Sequence, residues 1–168
     1  MADGTLKVGT ITNSAGSGNI AIGSGVTLLS NTPAFYATMS ANQTISTGTA
    51  TKLVYDTETF DTDNCYDSTN YRFTPTEAGK YQVGMQVRID GDALQSVLLY
   101  FYKNGSQNKR IQFYCANTGA NQSVGIFTTI VELNGSTDYL EAYVNLAATT
   151  TVFGNNDDNY FTAYRIGA

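Results

Sequence analysis

The chain has no histidine and no tryptophan, only two cysteines and two prolines, and only 14% charged residues across 168 positions. Without histidine it can build no Ser-His-Asp triad, no Cys-His pair and no imidazole metal site. No Gly-rich loop ends in the Lys-Ser or Lys-Thr of a phosphate cradle; Gly16, Gly18, Gly23 and Gly25 lie in polar sequence with no helical pattern after them. Carboxylate pairs serve glycosidases, but nothing in the Asp and Glu spacing selects a pair. Asp61, Asp63 and Asp67 could offer oxygens to Ca²⁺, as could Asp157 with Asp158, yet the first run lacks the glycine and terminal glutamate of an EF-hand loop. Neither an enzyme activity nor a cofactor or metal is expected.

Other absences narrow the class further. No apolar run approaches the roughly 18 residues of a membrane helix, and Met1-Ala2-Asp3-Gly4 leads into polar sequence without the apolar core of a secretory signal. Assembly in a cytoplasm, without membrane insertion, is the expectation, and Cys65 and Cys115 then read as free thiols. Nine Lys and Arg against fourteen Asp and Glu give a net charge of −5, which argues against binding a nucleic-acid duplex. The nearest basic cluster, Lys103 with Lys109 and Arg110, reads as the solvated tip of a hairpin. The scarcity of charge beside 42% hydrophobic residues excludes disorder and coiled coil. A chain of this length can bury roughly 70% of its unfolded surface, enough for one core without staples.

What is present is β sequence. From Tyr81 to Asp90, Tyr81, Val83, Met85, Val87 and Ile89 share one face and Gln82, Gly84, Gln86, Arg88 and Asp90 the other, the pattern of a half-buried strand. Thr74 to Gly79 supplies the turn before it: Pro75 fixes φ and Gly79 accommodates φ > 0. Further strands are expected at Phe35–Met39, Leu53–Phe60, Tyr71–Thr74, Val97–Lys103, Arg110–Cys115, Val124–Leu133, Tyr139–Asn145, Thr150–Phe153 and Tyr160–Ile166. Asn104-Gly105, Asn134-Gly135 and Gly154 to Asn159 punctuate them. Short, closely spaced strands with no helical periodicity predict an all-β, two-sheet sandwich.

A spaced run selects one architecture. Tyr55 is followed after five residues by Asp61, after four by Tyr66, after six by Phe73 and after five by Gly79, and then Tyr81, Val83 and Met85 alternate. This resembles the signature of the complement-head and tumour-necrosis-factor jelly-roll superfamily, with Tyr55 and Val83 standing where the pattern has Phe and Met85 where it has an aromatic. Phe161 to Ile166 resembles the last strand of the same family. The resemblance implies a jelly roll over residues 34–168 and association as a threefold homotrimer around aromatic strands.

Two strands bear on function. Val97 to Tyr102 is apolar on both faces, and Ile126 to Leu133 nearly so, whereas the outward face of a single sandwich should be polar. A covering partner is implied, with Leu99, Phe101 and Phe127 expected at the subunit interface, or Tyr100 and Tyr102 if the register is inverted. Residues 1–33, too apolar for a plain linker and too short for a core, read as an extended arm laid on the domain, a neighbouring subunit or another protein. The stretch from Thr10 to Ile20 resembles segments of phage head and tail structural proteins. The expectation is a bacteriophage capsid decoration protein on the virion surface, its arm gripping the major capsid protein. The alternative is the receptor-binding tip of a tail or head fibre that recognises a host glycan or protein through loops such as Asn117 to Ser123.

Overall fold

The computed structural model describes residues 24, 32–90, 95–115, 122–154 and 158–167. Two compact units divide the chain, Met1–Ser30 and Asn31–Ala168. The expected arm lies outside the described residues except for Ser24, Thr32 and Pro33, as do residues 117–121 and 155–157 of the loops named above. The second unit is an all-β jelly roll.

Thirteen strands occur among the described residues: β1 (Ala34–Thr38), β2 (Gln43–Ile45), β3 (Thr51–Lys52), β4 (Thr57–Asp61), β5 (Tyr66–Asp67), β6 (Arg72–Phe73), β7 (Ala78–Asp90), β8 (Gln95–Lys103), β9 (Ser106–Cys115), β10 (Gln122–Asn134), β11 (Leu140–Leu146), β12 (Thr150–Val152) and β13 (Tyr160–Gly167). One sheet runs β2-β12-β7-β13-β1-β4, with β10 on the other side of β7; the second runs β5-β6-β11-β8-β9, with β3 beside β11. All pairings are antiparallel. The longest ladder joins β7 to β10 from Ala78↔Asn134 to Asp90↔Gln122. The alternation read from Tyr81 to Ile89 is reproduced, since all five odd positions are fully buried.

The strand expected at Leu53–Phe60 is realised only from Thr57, as β4; Leu53 to Asp56 is the crossing from β3, because the chain changes sheets there. β3 pairs with β11 in the six-stranded sheet, whereas β4 pairs with β1 in the seven-stranded one. Across the crossing, Leu53 and Tyr55 stay buried. Val54 donates its N–H to Gln43 Oε1 at 3.1 Å, and the Asp56 carboxylate accepts the Ser40 N–H at 2.8 Å and hydroxyl at 2.5 Å. Apolar spacing runs unbroken through such a corner, so it hides the switch. β2, β3 and β5 escaped the sequence reading as well, the first too polar and the other two too short for periodicity to register.

The core is aromatic and spans both sheets. Phe161 of β13 lies 4.9 Å from Phe35, 5.8 Å from Tyr55, 5.9 Å from Phe101 and 6.0 Å from Tyr66, centroid to centroid. Phe35 stacks on Tyr66 at 4.4 Å and on Phe73 at 4.9 Å. Three of the buried tyrosines donate their hydroxyls to main-chain carbonyls: Tyr66 to Tyr55 at 2.6 Å, Tyr55 to Gln86 at 3.0 Å and Tyr81 to Glu77 at 2.6 Å. Each ring therefore packs without stranding a polar atom. Burial pushes all three phenols up, Tyr81 to about 12. Cys65 and Cys115 are free and buried.

Gly79 opens β7 with φ +151°, and a Cβ there would run into the Gly167 carbonyl and the Arg165 guanidinium, which itself donates to Ala78 O at 2.8 Å. Gly79→Ala is expected to cost about 2–4 kcal/mol from combined backbone strain and collision. Urea unfolding of both proteins measures this, and a change below about 0.5 kcal/mol would contradict the assignment of Gly79 as an obligatory glycine.

Candidate functional site

The signature residues fall into two jobs. Tyr55, Phe73, Tyr81 and Phe161 are fully buried and Tyr66 nearly so, all within the cluster just described. Asp61 is different, because it organises the turn from β4 to β5. Its Oδ2 accepts the Tyr66 N–H at 2.7 Å, while Oδ1 accepts the Asp63 N–H at 3.2 Å and the Cys65 thiol at 3.1 Å. Burial alone would raise the Asp61 carboxyl; the donors from Tyr66, Cys65 and Asp63 outweigh it and hold the group below the ordinary range. The neighbouring carboxylates are similarly occupied: Asp67 accepts from Thr69 and Asn70, and Asp63 from the Thr76 hydroxyl. These oxygens cap turns. Among the described residues no group of three His, Cys, Asp or Glu side chains is placed to hold a metal, and no helix is long and apolar enough to cross a membrane.

The two outward faces are built differently. On the six-stranded sheet, Tyr102 stacks on Tyr143 at 4.1 Å and meets Tyr100 edge-on at 5.8 Å. Beside them Glu141, only 3% exposed, receives Lys52 at 3.0 Å and Arg72 at 2.8 Å, and Arg72 lies 3.7 Å over the Tyr139 ring. Over β8 and β11 this face covers itself, whereas Tyr114, opposite Ser96 on the same face, is exposed. Leu99 and Phe101, expected at a subunit interface, point the other way: both are 0% exposed in a single chain, and Phe127 is 8% exposed, with Phe101 stacked on Phe127 at 5.0 Å. That placement corrects the expected register of β8. The core takes the odd positions, and the outward tyrosines pack against their own sheet. An aspartate at Phe101 would therefore unfold the chain whatever its assembly state.

The uncovered apolar surface lies on β9 and β10. Val124, Ile126 and Ile130 alternate outward along β10 at 53%, 55% and 52% exposure, and Ile111 and Tyr114 of β9 are also exposed. Among the described residues β10 pairs only with β7 and β9 only with β8, so each is the open edge of its sheet. Across the same outward face of the seven-stranded sheet, Tyr36 stacks on Tyr160 at 5.3 Å and on Phe60 at 6.3 Å, with Tyr164 and Ile166 exposed nearby. One chain thus presents an apolar edge strand, β10, beside a largely polar edge, β9, and an aromatic sheet face. Between the edges, Gly125 admits the Phe113 ring where any Cβ would collide with it.

At the other end of these edges is a cavity of about 400 Å³ lined by Lys80, Lys103, Asn108, Lys109, Ile130, Val131 and Glu132. Lys103 spans its wall, bonded to Asp138 Oδ2 at 2.8 Å and to the Glu132 carbonyl at 2.9 Å. The Asp138 carboxyl is held low, first by Lys103 and then by Asn104 and the Asn134 N–H. Lys103 and Lys109 come from the basic cluster seen in the sequence; Lys80, distant along the chain, is brought to them by the β7–β10 ladder.

No protein-family model matches the chain, and no curated protein sequence matches it. Solved structures do match in fold. The chain is similar to Eiger TNF from S. frugiperda, with 12% identity, a TM-score of 0.55, and coverage of 81% of this chain and 92% of that one. It is also similar to murine APRIL at pH 5.0, with 7% identity, a TM-score of 0.61, and coverage of 80% and 99%. The chain has a tumour-necrosis-factor-like jelly-roll fold. At these identities the likeness extends to the fold and no further.

Asp61 ties the fold signature to pH. A carboxyl lowered in the folded state contributes its stability in full above the unfolded value of about 4, and loses it as pH falls toward the folded value. Asp61→Ala is expected to cost about 1–3 kcal/mol at pH 7 by unpairing the turn donors, with a smaller penalty at pH 3. Denaturant midpoints at both pH values test this; an equal loss at each would remove Asp61 from the acid response.

Proposed function

We propose that this chain is a non-enzymatic homotrimeric structural protein of a bacteriophage particle, one that decorates the outer capsid surface and stabilises it. The observation that carries the assembly is the uncovered apolar edge strand β10 together with the aromatic outward face of the seven-stranded sheet. Long apolar edge strands left open invite uncontrolled pairing, so a chain that keeps them needs a partner in place. The two surfaces are different, so joining edge to face is heterologous, and such contacts form a ring when the rotation closes. The signature from Tyr55 to Met85 makes three the expected number. Support for the particle comes from the Thr10 to Ile20 segment and from the apolar residues of 1–33, which suit an arm that grips the major capsid protein.

A second reading, a fibre tip that binds a host surface glycan or protein, uses the same trimer. The lysine-lined cavity favours keeping it, since a purely structural subunit has no use for a shaped polar recess.

Light scattering on the full chain is expected to give three times the chain mass of 18.1 kDa. Ile126→Asp with Ile130→Asp, at positions already exposed in a single chain, should leave a folded monomer by circular dichroism. A monomeric parent protein, or a trimer indifferent to both aspartates, would reject the interface. Sedimentation of the trimer with empty capsids of its phage, but not of a version lacking residues 1–33, separates decoration from the fibre-tip reading.

A further inference from the structure

The cavity at the β9–β10 corner combines features rarely assembled by chance on an acidic chain. Three ammonium groups reach it from β7, β8 and β9, although the protein carries only nine Lys and Arg and a net charge of −5. They are not equivalent. Lys103 is committed to Asp138, and Lys80 sits directly across the ladder from Glu132, whereas Lys109 has no ion-pair partner among the described residues. One positive charge therefore faces the recess without compensation. Asn108 adds amide donors and an acceptor, the Glu132 carboxylate adds acceptors, and Ile130 and Val131 supply an apolar wall.

We infer that this recess binds one acidic monosaccharide unit, a pyranose bearing a carboxylate or a sulfate. The volume, about 400 Å³, is at the small end of ligand sites and suits a single sugar ring with its substituents. Each part of such a ligand finds its complement. The anionic group meets Lys109, with Asn108 beside it; the ring hydroxyls donate to Glu132; and the C–H face of the ring lies against Ile130 and Val131. A neutral sugar leaves the Lys109 charge unanswered, and a bare inorganic anion leaves the apolar wall and Glu132 without a partner. The ammonium already fixed by Asp138 and the Glu132 carbonyl holds one wall of the recess in place. All lining residues belong to one chain, and because Ile130 also lies on the proposed subunit contact, the inference rests on an assembly that leaves the recess open.

The test is an NMR titration of the full-length protein at low salt with four probes: glucuronate, glucose 6-sulfate, glucose and inorganic sulfate. The two acidic sugars are expected to bind with Kd on the order of 1 mM, shifting amides of residues 108, 109 and 130–132. Glucose and sulfate should each be weaker. Lys109→Gln, at an exposed position that leaves mass and circular dichroism unchanged, should weaken the acidic sugars by about 3- to 10-fold, and Asn108→Ala should weaken them less. Raising the salt should reproduce part of the Lys109 effect. Preference for glucuronate over glucose 6-sulfate identifies the carboxylate source, and the reverse identifies the sulfate source. The inference is overturned if glucose binds as tightly as its acidic forms, if sulfate alone matches them, if Lys109→Gln changes nothing, or if no probe shifts these amides.

Discussion

Phe161 makes contact with both sheets at once. It sits on the central part of the seven-stranded sheet yet packs against Phe101 and Tyr66 of the other, and it closes a ring of aromatic contacts with Phe35 and Tyr55. Two twisted sheets stay about 10 Å apart only if side chains of the right depth fill the gap, and here Phe and Tyr do most of that filling. Using tyrosine has a condition attached, because each buried hydroxyl must find an acceptor. The chain meets the condition at its irregular places. The sheet crossing at Tyr55, the turn at Glu77 and the β7 carbonyl of Gln86 all receive a tyrosine proton. The core and the loops are thus specified by the same residues, and the turn geometry around Asp61 follows from having to deliver Tyr66 into that cluster.

This coupling explains what was legible in the sequence. Strict alternation from Tyr81 to Ile89 and the spaced run from Tyr55 to Gly79 are direct consequences of rings entering the core from fixed turns, so both could be read without coordinates. Residues whose two faces are apolar could not be resolved the same way. In β8, Leu99 and Phe101 belong to the core and Tyr100 and Tyr102 to the outside, a choice set by the pairing with β11 that single-strand periodicity does not contain. The basic corner was half visible: Lys103 and Lys109 are close in sequence, but Lys80 joins them only through the register of β7 with β10. The open edges depend on which strands lie outermost, a property of topology that local sequence does not encode.

The outward faces show two solutions to one problem. The six-stranded sheet covers β8 and β11 with stacked tyrosines and a glutamate held by two cations. The seven-stranded sheet leaves isoleucine and valine standing on a strand paired on one side only. Aliphatic side chains carry no polar tip to make peace with water, unlike Tyr. The asymmetry is why the proposed subunit contact is placed on one side of the sandwich.

The two thiols give this fold an internal clock. Cys65 lies in the turn beneath Asp61, where burial and the facing carboxylate suppress its thiolate, and Cys115 is shut in at the end of β9. Neither can react with a soluble oxidant or alkylating reagent while its surroundings are closed, since the thiolate is the reactive form and must also be reached. Their modification rates are therefore opening rates, one for the turn that carries the fold signature and one for the outermost strand of the six-stranded sheet. A chain with no tryptophan to report its unfolding by fluorescence carries, in these cysteines, two separately addressable chemical reporters of how each region breathes.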